Sequence, residues 1–202
     1  MKLSNLVLLL AASLFTAACG IADPDLAPVE DSAKAWLHEQ DGQRLAFRNA
    51  TGQTQTLQVS RVARVEKNTA GYYITATPTE HIYLTYRRPT PPDSGFTIKV
   101  TRNVLEFQST VKPNYRAPGL GGVFTAADES QEKPATQTSQ LLRNHVLGAR
   151  TYASLVEVAA SSDYYGSPTP APYLGYLSQL YYSKNDGLAA FRTLDGQLWL
   201  RQ

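Results

Sequence analysis

Beyond residue 43, apolar and polar residues alternate with a period of two along most of the chain, a pattern that predicts β-strands. Residues 44–49 make a short first strand. Residues 54–66 follow, with Leu57, Val59, Ala63 and Val65 on one face and Gln58, Ser60, Arg64 and Glu66 on the other. Arg61 interrupts that apolar face. Further strands are expected at 72–77, 81–88, 95–102 and 104–111, each rich in Tyr, Ile, Val, Thr and Phe and bounded by Pro, Gly, Asn or Asp. Residues 68–71 and Arg102-Asn103 read as tight turns.

The alternation lapses over 112–138, where Pro113, Pro118, Gly119-Leu120-Gly121-Gly122 and a polar, acidic run predict loop. Residues 161–172, with Tyr164-Tyr165-Gly166 and three prolines, read as a second surface excursion. Strands are expected again at 140–146, 152–160, 173–183, 188–193 and 197–201, with a short helix over 139–148 as the alternative to the first of them. Asn185-Asp186-Gly187 and Asp195-Gly196 supply the residues that tolerate positive φ in tight hairpin turns, so the last strands should pair in sequence order. Parallel pairing would need crossover segments that this spacing lacks. The expected fold is therefore mainly β: a single antiparallel sheet, curved into a half-barrel or folded into a sandwich, with at most one or two short helices.

The first twenty residues differ in kind. Lys2 precedes an uncharged stretch centred on Leu6-Val7-Leu8-Leu9-Leu10, which closes on Thr16-Ala17-Ala18-Cys19-Gly20, the charged, apolar and small-residue order of a secretory signal. The stretch is shorter than the roughly 20 residues a membrane-spanning helix needs. Cys19, the only cysteine, sits where a signal peptidase would cut, and this arrangement resembles the bacterial lipobox, although Thr16 stands where that motif usually has Leu. Residues 1–18 are thus expected to be a signal peptide, with Cys19 carrying acyl chains such as palmitate as the membrane anchor. Residues 19–33 hold Asp23, Pro24, Asp25, Pro28, Glu30 and Asp31 and read as a flexible tether, leaving 34–202 as the β domain. Gly20, in place of the Asp associated with inner-membrane retention, points to the outer membrane, on its periplasmic or surface side. Within the tether, Asp31-Ser32-Ala33 matches a short O-glycosylation motif.

Removing residues 1–18 takes away Lys2 and no acid, leaving 18 Lys plus Arg against 17 Asp plus Glu, a formal charge of +1. The basic residues alternate with apolar ones rather than cluster, so no nucleic-acid partner is expected. With one cysteine there can be no internal disulfide, and a body of about 170 residues must hold by packing.

Catalytic chemistry finds little support. His38, His81 and His145 are far apart and form no zinc-binding pair, so neither a metal nor another cofactor is expected. There is no Gly-x-Ser-x-Gly elbow, and Glu106 with Asp128 is one carboxylate pair among many. The 12 tyrosines, with Trp36 and Trp199, are the compositional excess. Tyr72, Tyr83, Tyr86, Tyr164, Tyr165 and Tyr173 can line a cleft for a small apolar or glycan ligand, or can serve as cross-strand aromatic pairs that stiffen the sheet.

Tyr181-Tyr182-Ser183-Lys184-Asn185-Asp186-Gly187-Leu188-Ala189-Ala190-Phe191, followed by Asp195-Gly196-Gln197-Leu198-Trp199, resembles the closing segment of uncharacterised Bacteroidota lipoproteins. Residues 148–158, running from Gly148-Ala149-Arg150-Thr151-Tyr152 to Val158, are similar to a strand start of the same proteins. The resemblance implies envelope location and a β fold and carries over no catalytic residue. Three functional classes follow, in order: a non-catalytic binding or envelope-interaction module, a structural scaffold without a pocket, and an enzyme acting on envelope lipid or glycan.

Overall fold

The computed structural model describes residues 26–67, 77–88, 95–110, 120–126, 139–159, 177–193 and 195–202. One helical turn, α1 (Asp31–Lys34), precedes eleven strands: β1 (Arg44–Asn49), β2 (Thr54–Glu66), β3 (Thr79–Arg87), β4 (Gly95–Thr101), β5 (Val104–Thr110), β6 (Gly121–Thr125), β7 (Ser139–Leu147), β8 (Arg150–Ala159), β9 (Leu177–Ser183), β10 (Gly187–Thr193) and β11 (Leu198–Arg201). They form one sheet in the order β6-β5-β4-β3-β2-β1-β11-β10-β9-β8-β7, antiparallel throughout. The first strand pairs with the last, Phe47 opposite Arg201, and so joins two meanders into one sheet.

An odd number of strands in strict alternation leaves the two edge strands, β6 and β7, running the same way. The sheet curls until those edges meet, but an antiparallel ladder cannot close between them. Instead β6 lies against β7 and β8, and the Ser139 hydroxyl donates to the Val123 carbonyl at 2.6 Å. The result is a nearly closed barrel with a seam.

Inward-pointing residues alternate along each strand as the pattern predicts: Leu45 and Phe47 on β1, Leu57 and Val59 on β2, Leu84 and Tyr86 on β3, Ile98 and Val100 on β4, Leu105 and Phe107 on β5. A second, smaller apolar cluster lies on the outer face, where Tyr181, Ala189 and Ala190 pack with Leu147, Tyr152 and Leu155. Asn144 of β7 has a φ of 48°, a conformation asparagine tolerates better than most residues; it drops out of the ladder to β8 while the register on either side of it is unchanged. The β7–β8 turn comes down beside Leu200, whose Cδ1 lies 2.6 Å from where a Cβ on Gly148 would stand.

Two expectations change, and one alternative is settled. β6 falls inside the stretch read as loop, because Gly121 and Gly122 carry no strand propensity of their own. The ladder to Gln108 and Phe107 makes them a strand. Residues 139–147 form a strand and not the alternative helix. The tether read at 19–33 does not extend to residue 33, since Val29 and Ala33 are buried in the main core and α1 packs there with them. The strand expected at 72–77 and the start of the one at 173–183 fall largely outside the described residues.

Candidate functional site

Polar and proline-broken as it is, the segment from residue 26 to residue 43 crosses one mouth of the barrel as a strap. It begins beside the start of β3, where Ala27 makes a parallel bridge to Thr79 and Glu80 N donates to the Ala27 carbonyl at 2.9 Å. Glu30 N donates to the Arg102 carbonyl in the β4–β5 turn, also at 2.9 Å, and Val29 N to the Glu80 carboxylate. The strap ends at the start of β1, where Gly42 N bonds the Val59 carbonyl. Between these fixings Val29, Ala33, Trp36 and Leu37 point into the barrel and are buried. Trp36 packs edge-on against Phe124 of β6 with centroids 4.9 Å apart, while Phe107 of β5 meets Tyr182 of β9 across the interior at 5.9 Å. Side chains from opposite walls and from the strap thus touch one another.

Glu39 is the polar centre of this mouth. Its side chain is fully buried, accepts a hydrogen bond from Leu188 N at 2.6 Å, and lies 4.0 Å from the Arg201 guanidinium. The Tyr182 hydroxyl stands 3.0 Å from Glu39 Oε2 and 2.9 Å from the Trp36 carbonyl, so one proton is shared between two acceptors on the strap. Arg61, the residue that interrupts the apolar face of β2, donates from its guanidinium to the Glu39 carbonyl at 3.2 Å, and its backbone N–H bonds Asp41. A charge at an inward strand position was therefore the one visible sign of this cluster; nothing around Glu39 or Arg201 distinguished them in the sequence. Gly187 completes the fit. Its φ is 72°, and a Cβ there would collide with the Glu39 carboxylate.

Burial pushes the phenols of Tyr86 and Tyr182 well above the usual tyrosine range. For Tyr182 the Glu39 carboxylate adds to the shift, and for Tyr86 both Tyr182 and Glu39 do. The Tyr86 hydroxyl approaches both groups but meets normal hydrogen-bond geometry with neither, and the Trp36 indole N–H is likewise buried without an acceptor. With the Trp199 indole N–H, which also lacks an acceptor, these are three orphaned donors in one core, each costing about 1–3 kcal/mol.

Tyr83 occupies a different place. Being an odd number of residues from Tyr86, it points to the outer face of β3, so these two candidates do not share a cleft. Its hydroxyl donates to Glu66 at 2.7 Å, and its ring lies between the Arg64 guanidinium and the Lys99 ammonium, 5.8 and 5.9 Å from the centroid. His81 adjoins it and pairs with Thr101 at 2.7 Å. Burial and the hydrogen bond to Glu66 push the Tyr83 phenol up to about 12, while the same bond lowers the Glu66 carboxyl. These are cross-strand pairs within an exposed ladder.

Cys19, Tyr72, Tyr164, Tyr165, Tyr173 and Asp128 lie outside the described residues. Among the described residues His38, His81 and His145 stand on separate elements, and no group of three His, Asp or Glu side chains is placed to hold a metal ion. Of the two tryptophans, Trp36 belongs to the strap and Trp199 stacks on Phe191 in the barrel wall. No known protein-family model, curated protein or solved structure matches this chain.

Proposed function

We propose that the chain is an exported lipoprotein, anchored through an acylated Cys19 in the outer membrane, whose barrel is a non-catalytic envelope-interaction module. The single observation behind the second half of that reading is the strapped mouth: Trp36, Phe124, Phe107 and Tyr182 fill the space that a carrier would leave for its cargo. Interaction then falls to the outer surface. The anchor rests on the position of Cys19 after an apolar, uncharged leader.

A second reading, a binding site for a small apolar or glycan ligand inside the barrel, is favoured by one specific observation. The Trp36 N–H and the Tyr86 hydroxyl are buried donors without acceptors, groups that a ligand oxygen would satisfy.

Membrane fractionation of wild type and Cys19→Ala, with globomycin treatment alongside, tests the anchor. Wild type should sediment with the outer membrane, and Cys19→Ala should accumulate unprocessed or appear in the soluble fraction. Recovery of an unchanged, membrane-bound mature form from Cys19→Ala would refute it. Titration of the purified protein with an environment-sensitive naphthylamine dye separates the two module readings: no saturable binding is expected, and saturable binding that quenches Trp36 would transfer the assignment to the ligand-binding reading.

A further inference from the structure

We propose that the strapped end of the barrel is its membrane-facing end, resting on a lipid surface through the tip of β2 and the β7–β8 turn. This rests on the lipid-anchor reading of Cys19 and adds to it an orientation and a contact surface.

The strap joins the barrel at one rim, and the anchor lies a short way before it. Leu26 precedes the bridge of Ala27 to Thr79, at the rim of the strapped mouth, and Cys19 stands seven residues before it. At roughly 3.3–3.6 Å per residue these cannot span more than about 25 Å. Because the strap is part of the fold, the anchor's leash is half what a tether running to residue 33 would allow, and the mouth where it starts lies within about 25 Å of the anchored residue.

Three large apolar side chains are exposed among the described residues: Val62 at 39%, Val65 at 58% and Val146 at 62%. Two of them, Val65 and Val146, stand at that same end, whereas Val62 lies opposite Tyr83 at the middle of β3. Val65 lies one residue before the end of β2, opposite Glu80 at the start of β3, and although its parity is inward it rises above the rim. Val146 is one residue before the end of β7, next to the turn that abuts Leu200 near the end of β11. The two sites sit on opposite sides of the mouth, β2 and β7 being separated by four strands through the seam. Each valine has exposed basic company, Arg64 and Lys67 at one tip and Arg150 at the other, while Glu66 is engaged by Tyr83 and His81. Apolar residues flanked by cations at two points of one rim suit the headgroup region of a bilayer, where a valine buries its methyls and a basic side chain meets phosphate.

Single cysteines at Val65, Val146 and, at the opposite end, exposed Ala50 would carry an environment-sensitive fluorophore. Native Cys19, once acylated, takes no label. The full-length lipidated protein is reconstituted into vesicles of phosphatidylethanolamine and phosphatidylglycerol. Labels at 65 and 146 should be quenched several-fold more by a headgroup nitroxide lipid than the label at 50, and correspondingly shielded from aqueous iodide. Val65→Asp, at an exposed position, should expose the label at 146 while the protein remains vesicle-bound. Equal quenching of all three labels in vesicle-bound protein overturns the orientation and leaves the anchor standing. Failure of the wild-type chain to float with the vesicles overturns the anchor, and the orientation with it.

Discussion

Tyr83, Tyr86 and Tyr182 are the same residue type in three electrostatic settings. Tyr83 is half-exposed between two cations and a carboxylate, and its phenol is pushed up to about 12. Tyr86 and Tyr182 are buried beside Glu39 and lie well above the usual range. A phenol whose folded-state pKa exceeds its unfolded value near 10 is protonated in both states at neutral pH. Its contribution to stability is therefore complete below about pH 10 and is lost as pH rises through the folded value. In an alkaline titration followed by tyrosinate absorbance and circular dichroism, Tyr83 should ionise near pH 12 with the sheet still formed. The signals of Tyr86 and Tyr182 should appear only together with unfolding. Ionisation of every tyrosine near pH 10 without loss of structure would contradict the burial of these two rings. Of this, the sequence disclosed only that tyrosines are abundant in strand-like segments. Which face each occupies follows from register, and Tyr83 and Tyr86, three residues apart, necessarily face opposite ways.

The strap is an element without a secondary-structure signature. Its helical turn is only four residues long, and its composition, with Pro28, Glu30 and Asp31, is that of a solvated linker. It is held instead by what it meets: the edge of β3, the β4–β5 turn, Arg61, and the Glu39 latch against β9, β10 and β11. Removing one partner of a buried polar cluster leaves the others desolvated and unpaired, a cost of about 3–5 kcal/mol. Glu39→Ala should lower the unfolding free energy measured by urea titration by that order without changing the far-ultraviolet spectrum at low denaturant. Gly187→Ala should destabilise as well, through its positive φ and its collision with Glu39, but less so when Glu39 is already alanine. A coupling of about 0.5–3 kcal/mol between the two substitutions is expected, and strict additivity would mean that Gly187 and Glu39 do not share the contact described. The length of the strap was illegible for the same reason that it works. Each fixing is a long-range contact to a residue far along the chain, and local composition records none of them.

At the scale of the whole barrel the parity of the strand count governs the shape. Eleven alternating strands bring β6 and β7 together in the same direction, and Ser139 bonding the Val123 carbonyl is a side-chain link where a ladder would otherwise run. One such hydrogen bond contributes about 1 kcal/mol. Ser139→Ala should therefore speed amide exchange in β6 and β7 while leaving the β1–β11 pairing, which closes the two meanders on each other, unaffected. Unchanged exchange at the seam would show that packing against β8 alone holds it. The alternation of side chains and the Gly-, Asn- and Asp-bearing turns are local properties, set by which face each residue takes and which φ each tolerates. For that reason the strands from β1 to β5 and from β7 to β11, the antiparallel sense of the sheet and the mainly β class could be read from the amino acids in order, whereas the direct pairing of β2 with β3, past the strand expected at 72–77, and of β1 with β11 could not. Curvature to near-closure, the conversion of Gly121 and Gly122 into a strand, and the capture of residues 26–43 by the mouth were decided only in three dimensions. There, backbone groups found partners, and Glu39, Arg61 and Arg201 met at distances that no local pattern encodes.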